Sequence, residues 1–184
     1  MEERMKFFTR GLAATAILAT VCVSSFAQKP ILPERVMLKA GVLLPSGDEA
    51  KDLGRNWLGG GLDYQLNKMD QRIAYSVESL YTEKKGGIEE KMSSLTLTFN
   101  RKMRMGDVAS ARENLPFLSI GLGAQMASVK TTEVDKDKTV GVATVSIGTE
   151  TAANMQVEAK YIYPLEKVEG RKMDGIFLLL GFRF

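Results

Sequence analysis

The side chains with the most chemistry to offer are six ionisable ones, Lys39, Asp63, Glu78, Glu158, Lys160 and Arg183. The sequence has no histidine, which removes His-dependent triads, the usual general base near neutral pH and imidazole metal sites. Its single cysteine, Cys22, falls in a segment expected to be cut away, so thiolate catalysis and disulfides go too. Asp48, Glu49 and Asp52, and the pair Asp135 and Asp137, are acidic enough to attract a hard cation. They lack the ligand spacing and central glycine of a calcium loop, and read as solvated loops. Gly59-Gly60-Gly61 lacks the lysine and helix of a phosphate-binding loop and reads as close packing within a strand. The expectation is a protein that is not an enzyme, with no catalytic residue, no cofactor and no metal. Its isolated charges then have to satisfy one another.

What would position them is a set of strands. Residues 1 to 27 read as an export signal: Lys6 and Arg10 supply the positive start and Leu12 to Val23 the apolar run. Ser25 and Ala27 stand at the small positions before a cut ahead of Gln28. The run is shorter than a membrane-spanning helix needs. Residues 28 to 184 then form one domain, and loss of the signal leaves 22 basic and 20 acidic residues of the full chain's 25 and 22. That near-balance argues against nucleic acid as a partner.

In this domain apolar and polar residues alternate in eight runs, at roughly 35 to 44, 57 to 67, 72 to 82, 91 to 102, 117 to 129, 140 to 149, 154 to 163 and 175 to 184. No long segment keeps a 3.6-residue period, so the fold class is all-β. Most breaks carry turn chemistry, as at Pro45-Ser46-Gly47-Asp48, Asn67 to Gln71, Gly86-Gly87, Gly106-Asp107 and Asp174-Gly175. The seventh run shows the split plainly: Met155, Val157, Ala159, Tyr161 and Tyr163 oppose Asn154, Gln156, Glu158 and Lys160. An even number of such runs suits a closed antiparallel meander.

Alternation alone does not say which face is inside. A soluble ligand-binding barrel covers its outside with long charged side chains. Here the polar face is mostly Gly, Ser, Thr, Asn and Gln, with isolated charges at the six positions above, and this suits a crowded lumen. Runs near 9 to 11 residues match a tilted strand crossing a bilayer. Tyr64, Tyr75, Phe99, Phe182 and Phe184 fall near one set of strand ends, and Tyr81, Tyr161 and Tyr163 near the other, as two interfacial girdles would require. The alternatives are a soluble secreted carrier of an apolar ligand and a narrow pore or transporter for small or apolar solutes.

The last run, Gly175 to Phe184, places Ile176, Leu178, Leu180, Phe182 and Phe184 on one face and ends on an aromatic. This resembles the C-terminal signature of outer-membrane barrels, and in strand number and length residues 33 to 184 resemble the small eight-stranded barrels of the OmpA and OmpX kind. The resemblance implies an eight-stranded antiparallel up-and-down transmembrane barrel in the cell outer membrane; elimination of catalytic chemistry leaves a structural or surface-interaction role, as a monomer, as the leading expectation. Its partners would be outer-membrane lipid and lipopolysaccharide, and the barrel-assembly machinery, which reads Leu178, Leu180, Phe182 and Phe184; Lys84 and Lys85 read first as a solvated loop and only second as a contact to lipopolysaccharide phosphates. Both chain ends would be periplasmic, with connections near 45 to 56, 83 to 90, 130 to 139 and 164 to 174 facing outside. Residues 103 to 116 make a long inner connection with room for a short helical turn. The polar face would line the lumen as an ion-pair plug, with Lys39, Glu78, Glu158 and Lys160 near mid-height and Asp63 and Arg183 nearer the periplasm.

Deleting Phe184 is expected to lower outer-membrane assembly while export continues, read by fractionation of a tagged chain. Unchanged assembly would mean that the terminal aromatic is not read during insertion.

Overall fold

The period-two pattern becomes eight strands: β1 Val36–Pro45, β2 Trp57–Gln65, β3 Ile73–Lys85, β4 Lys91–Arg104, β5 Leu115–Lys130, β6 Asp135–Glu150, β7 Met155–Pro164 and β8 Gly175–Arg183. The computed structural model describes residues 35–46, 56–68, 71–85, 91–106, 114–130, 135–151, 154–168 and 172–183. Each strand pairs antiparallel with the next, and β1 pairs with β8 from Met37↔Arg183 to Pro45↔Gly175, closing the barrel. Closure leaves no full-length sheet edge, as a hydrocarbon surround requires of the backbone. We call the rim where β1 begins and β8 finishes the terminal end, and the opposite rim the far end.

Turns on the terminal side are tied by side chains. Asn67 donates to the Ile73 carbonyl at 2.6 Å and accepts from the Tyr75 amide at 2.9 Å, folding β2 back onto β3. Asn154, at φ 59°, takes the left-handed conformation that asparagine tolerates better than most residues, just before β7.

The strands differ in length from the alternating runs, and the reason is visible in the register. β4 continues to Arg104 because Lys102 and Arg104 keep the inward parity of Thr98 and Asn100. β6 begins at Asp135, so Asp135 and Asp137 lie on a strand where their acidity suggests a loop, and β3 likewise carries residues 83 to 85. The pairings Lys85↔Lys91 and Lys130↔Asp135 lift β3 to β6 above their neighbours at the far end. β7 meets β6 only from Val142↔Pro164, so among the described residues the upper part of β6 is an edge, with Lys136, Asp137, Lys138 and Thr139 exposed. Lys138 donates to Glu166 at 2.7 Å and holds that exposed carboxyl below its ordinary value. The helical turn expected between β4 and β5 falls on residues 107–113, outside the described residues.

The outward face is apolar around the wall. Leu58, Leu122 and Ile147 are 73%, 70% and 61% exposed, and Leu38, Leu97, Phe99, Ile120, Val157, Leu178, Leu180 and Phe182 join them. A continuous apolar belt of this extent suits lipid and is far beyond the patches soluble monomers expose. A soluble carrier, with its apolar residues inside and charges outside, is the inverse arrangement.

The inward face is not polar throughout, which corrects the uniform lining expected from the alternation. Toward the far end Leu43, Trp57, Leu80, Met92, Val129, Val140, Val142, Ile162, Val168, Met173, Phe177 and Leu179 belong to one buried apolar cluster. Large and small residues interlock: a Cβ added at Gly59 would come within 2.7 Å of the Phe177 ring, one at Gly148 within 2.6 Å of Phe117, and one at Gly181 within 2.6 Å of the Met37 sulfur. These glycines make space for bulky side chains beside them. Eight strands enclose an interior just wide enough for side chains to fill, and here they fill it.

The closed hydrogen-bond network is expected to resist SDS at room temperature, so that unboiled and boiled samples migrate differently on a gel. Identical migration together with mostly helical circular dichroism would be incompatible with the barrel.

Candidate functional site

The charged part of the lumen is built from positions that share the inward parity of their strands. Lys39 on β1, Asp63 on β2, Glu78 on β3 and Glu158 and Lys160 on β7 all point inward and are buried. The Lys39 ammonium sits amid three carboxylates, 2.5 Å from Glu78 Oε1, 2.7 Å from Glu158 Oε2 and 3.4 Å from Asp63 Oδ2. Lys160 donates to the other oxygen of Glu78 and lies 3.3 Å from Glu158 Oε1. Glu78 is thus shared by two ammonium groups, one from β1 and one from β7.

Nearer the terminal end, a second group gathers around Glu150 on β6. Lys102 Nζ donates to Glu150 Oε1 at 2.9 Å, Arg104 Nε to Oε2 at 2.6 Å, and Arg183 Nη2 to Oε1 at 3.1 Å. Arg104 also reaches Gln65 Oε1 at 3.0 Å and the Gln71 carbonyl at 2.8 Å. Lys102 lies 4.5 Å from the centre of the Phe117 ring, a cation–π contact.

Gln156, fully buried, joins the two groups: its side-chain carbonyl accepts from Lys102 at 2.7 Å while its amide donates to Glu158 at 2.8 Å. One path of ion pairs and hydrogen bonds therefore runs from Asp63 through Lys39, Glu158, Gln156, Lys102 and Glu150 to Arg183. Among the described residues the network joins the cations Lys39, Lys102, Arg104, Lys160 and Arg183 to the carboxylates Asp63, Glu78, Glu150 and Glu158, so its charge is nearly balanced within the lumen. Burying charges is costly unless each is paired and hydrogen-bonded, and the carboxylates here have cations at contact distance. A neutral layer lies on the β3 to β5 side: the hydroxyls of Thr82 and Ser94 are 3.0 Å apart, and the Gln125 amide donates to Thr96 at 3.2 Å.

Of the six charges singled out from the sequence, five come together and Arg183 joins the Glu150 group instead. Asp63 lies on the terminal side, opposite Met37 as Arg183 is, and its side chain reaches up to Lys39 and so joins the mid-height group. Sequence reasoning missed Gln65, Lys102, Arg104, Glu150 and Gln156 as members. The parity of β4 and β6 carries a signal for three of them: Lys102 and Arg104 follow Thr98 and Asn100, and Glu150 follows Ser146, at even spacings. Tyr64, Tyr75, Tyr81, Phe99 and Tyr163 lie exposed on the outer wall, with Tyr75 and Phe99 stacked at 6.0 Å. Tyr161 is half-buried and its hydroxyl donates to Asp174 at 3.2 Å. Leu178, Leu180 and Phe182 face outward on β8, and Phe184 lies outside the described residues. So do Asp48, Glu49 and Asp52.

Solved structures share this architecture. Neisserial surface protein A superposes with a TM-score of 0.57 at 19% identity, covering 79% of this chain and 92% of that one. The Yersinia pestis outer membrane protein Ail in a phospholipid bilayer nanodisc gives 0.53 at 17%, covering 81% and 98%. The outer membrane enzyme PagL gives 0.55 at 15%, covering 80% and 99%. No protein-family model and no curated protein matches the sequence. The fold is that of the small outer-membrane barrels, and since one of these neighbours is an enzyme, the fold does not decide between catalysis and other roles.

Replacing Lys39 with Met should leave three buried carboxylates short of a cation. The expected loss is about 3–5 kcal/mol of unfolding free energy, the cost of breaking a buried pair. Urea titration in lipid vesicles measures it, and a loss below about 1 kcal/mol would mean that the lumen is wet enough to screen the charges.

Proposed function

We propose that this chain is a non-conducting, non-enzymatic barrel of the outer membrane that stabilises the envelope and displays its far end to the outside. The filled lumen carries this reading. Ion-paired side chains occupy the terminal half and mid-height, and an apolar cluster with Trp57 and Phe177 fully buried occupies the far half. A hydrated ion would have to break both. The alternative of a narrow passage is disfavoured by the same packing, and lack of histidine supports the absence of acid–base catalysis.

The raised β3 to β6 sheet supports the display role. It carries exposed polar residues beyond the apolar belt and presents the upper edge of β6. In this reading the far end is extracellular, the chain acts as a monomer, and lipid and lipopolysaccharide are its surroundings.

Planar-bilayer recording tests the reading. The wild-type barrel should give no discrete unit conductance, while Glu158→Ala, which removes the carboxylate shared by Lys39 and Lys160, should raise conductance or lower stability. Steady stepwise conductance from the wild-type chain, or a Glu158→Ala variant with neither effect, would sink the plug.

A further inference from the structure

Most of the buried apolar cluster in the far half comes from strands, but Val168 and Met173, each 3% exposed, belong to the connection between β7 and β8. Trp57 and Phe177, both fully buried, are members of the same cluster. The described parts of this connection, residues 165–168 and 172–174, therefore dip into the far mouth of the lumen, where a connecting segment ordinarily runs over the surface.

Polar contacts clasp both limbs to the rim. On the β6 side the Leu165 amide donates to the Gly141 carbonyl at 2.8 Å, and Lys138 donates to Glu166 at 2.7 Å. Gly141 makes room for this limb, since a Cβ there would come within 3.0 Å of Leu165 Cδ1. On the other limb the Ser46 amide donates to the Asp174 carbonyl at 2.9 Å and the Tyr161 hydroxyl donates to the Asp174 carboxylate at 3.2 Å. Lys172 lies 3.4 Å from the centre of the Tyr163 ring, a cation–π contact.

We propose that the β7–β8 connection is a lid, with Val168 and Met173 as the stopper of a blind apolar cup, and that it lifts without unfolding the wall. The wall is held by continuous ladders of backbone hydrogen bonds, so it opens only as a whole. The lid rests on two apolar side chains and a few rim contacts, of which Lys138–Glu166 is exposed and worth little, and such segments open at lower free energy than the sheet beneath them. The floor is independent of the lid: below Ile162 the next inward residue of β7 is Lys160, bonded to Glu78. Lifting the lid opens a cup lined by Trp57, Ile162 and Phe177, suited to a small apolar molecule, while the ion-pair layer below stays shut to ions.

Trp57 is the single tryptophan of the chain and reports on the cup. The test measures acrylamide quenching of its fluorescence in the full barrel in micelles. Heat modifiability on a gel verifies the fold of each sample, and planar-bilayer recording verifies the floor. Tyr161→Phe combined with Lys138→Gln removes one clasp from each limb and should raise the quenching constant about threefold, with the gel shift kept and no conductance gained. Joining Lys138 to Glu166 in the wild-type chain by a zero-length carbodiimide crosslink, located by peptide mass spectrometry, should lower quenching below that of the uncrosslinked chain. Equal quenching in all three samples, or quenching that rises only when the gel shift is lost, overturns the lid and makes Val168 and Met173 fixed core. Conductance that rises together with quenching overturns the blind cup. Conductance of the unaltered wild type sinks the plug instead and leaves the lid standing.

Discussion

Each backbone amide and carbonyl of the wall has to find its partner within the wall. Inside hydrocarbon an unpaired group costs several kcal/mol, so the sheet must close, and β1 is bound to β8 along its length. Closure with eight strands makes a narrow interior, and a narrow interior decides what its side chains can do. Inward residues have no room to stay separately hydrated. They interlock as apolar shapes, pair as charges, or hydrogen-bond to one another as the neutral layer of Thr82, Ser94, Thr96 and Gln125 does.

The first two are stacked along the axis. In the far half, Phe177 fits against Gly59, and Leu43, Trp57 and Leu179 pack in the same cluster like the core of a soluble protein. In the other half the lumen is held by charge. There a few carboxylates each serve several cations: Glu78 meets Lys39 and Lys160, and Glu150 meets Lys102, Arg104 and Arg183. Gln156 lets the two groups share one network, and a neutral amide does so without adding charge. Such a network is weak evidence for net stability, since an apolar filling often does as well. Its stronger consequence is that removing any one member leaves others short of a partner.

The outer wall answers a different solvent. Its belt is apolar because hydrocarbon surrounds it. Beyond the belt β6 carries Lys136 and Lys138 on one face and Asp137 and Thr139 on the other, all exposed, because water again solvates them. Lumen, belt and rim are therefore three environments met by successive residues of the same strands.

The all-β class, the number of strands and the difference between their two faces were legible in the residue order, because a period of two is imposed by the backbone and is visible without neighbours. So was the inward direction of Lys39, Asp63, Glu78, Glu158 and Lys160, since each falls on the less apolar of its strand's two faces. How far the strands extend was not: charged residues such as Arg104 and Asp135 look like loop until cross-strand partners are known. Nor was the apolar far half of the lumen. In Phe177-Leu178-Leu179-Leu180 both faces are apolar, so alternation vanishes and parity has nothing to distinguish. Which charges meet was settled in three dimensions, because Lys39 and Glu158 are 119 residues apart along the chain and their contact depends on register and on closure around the barrel.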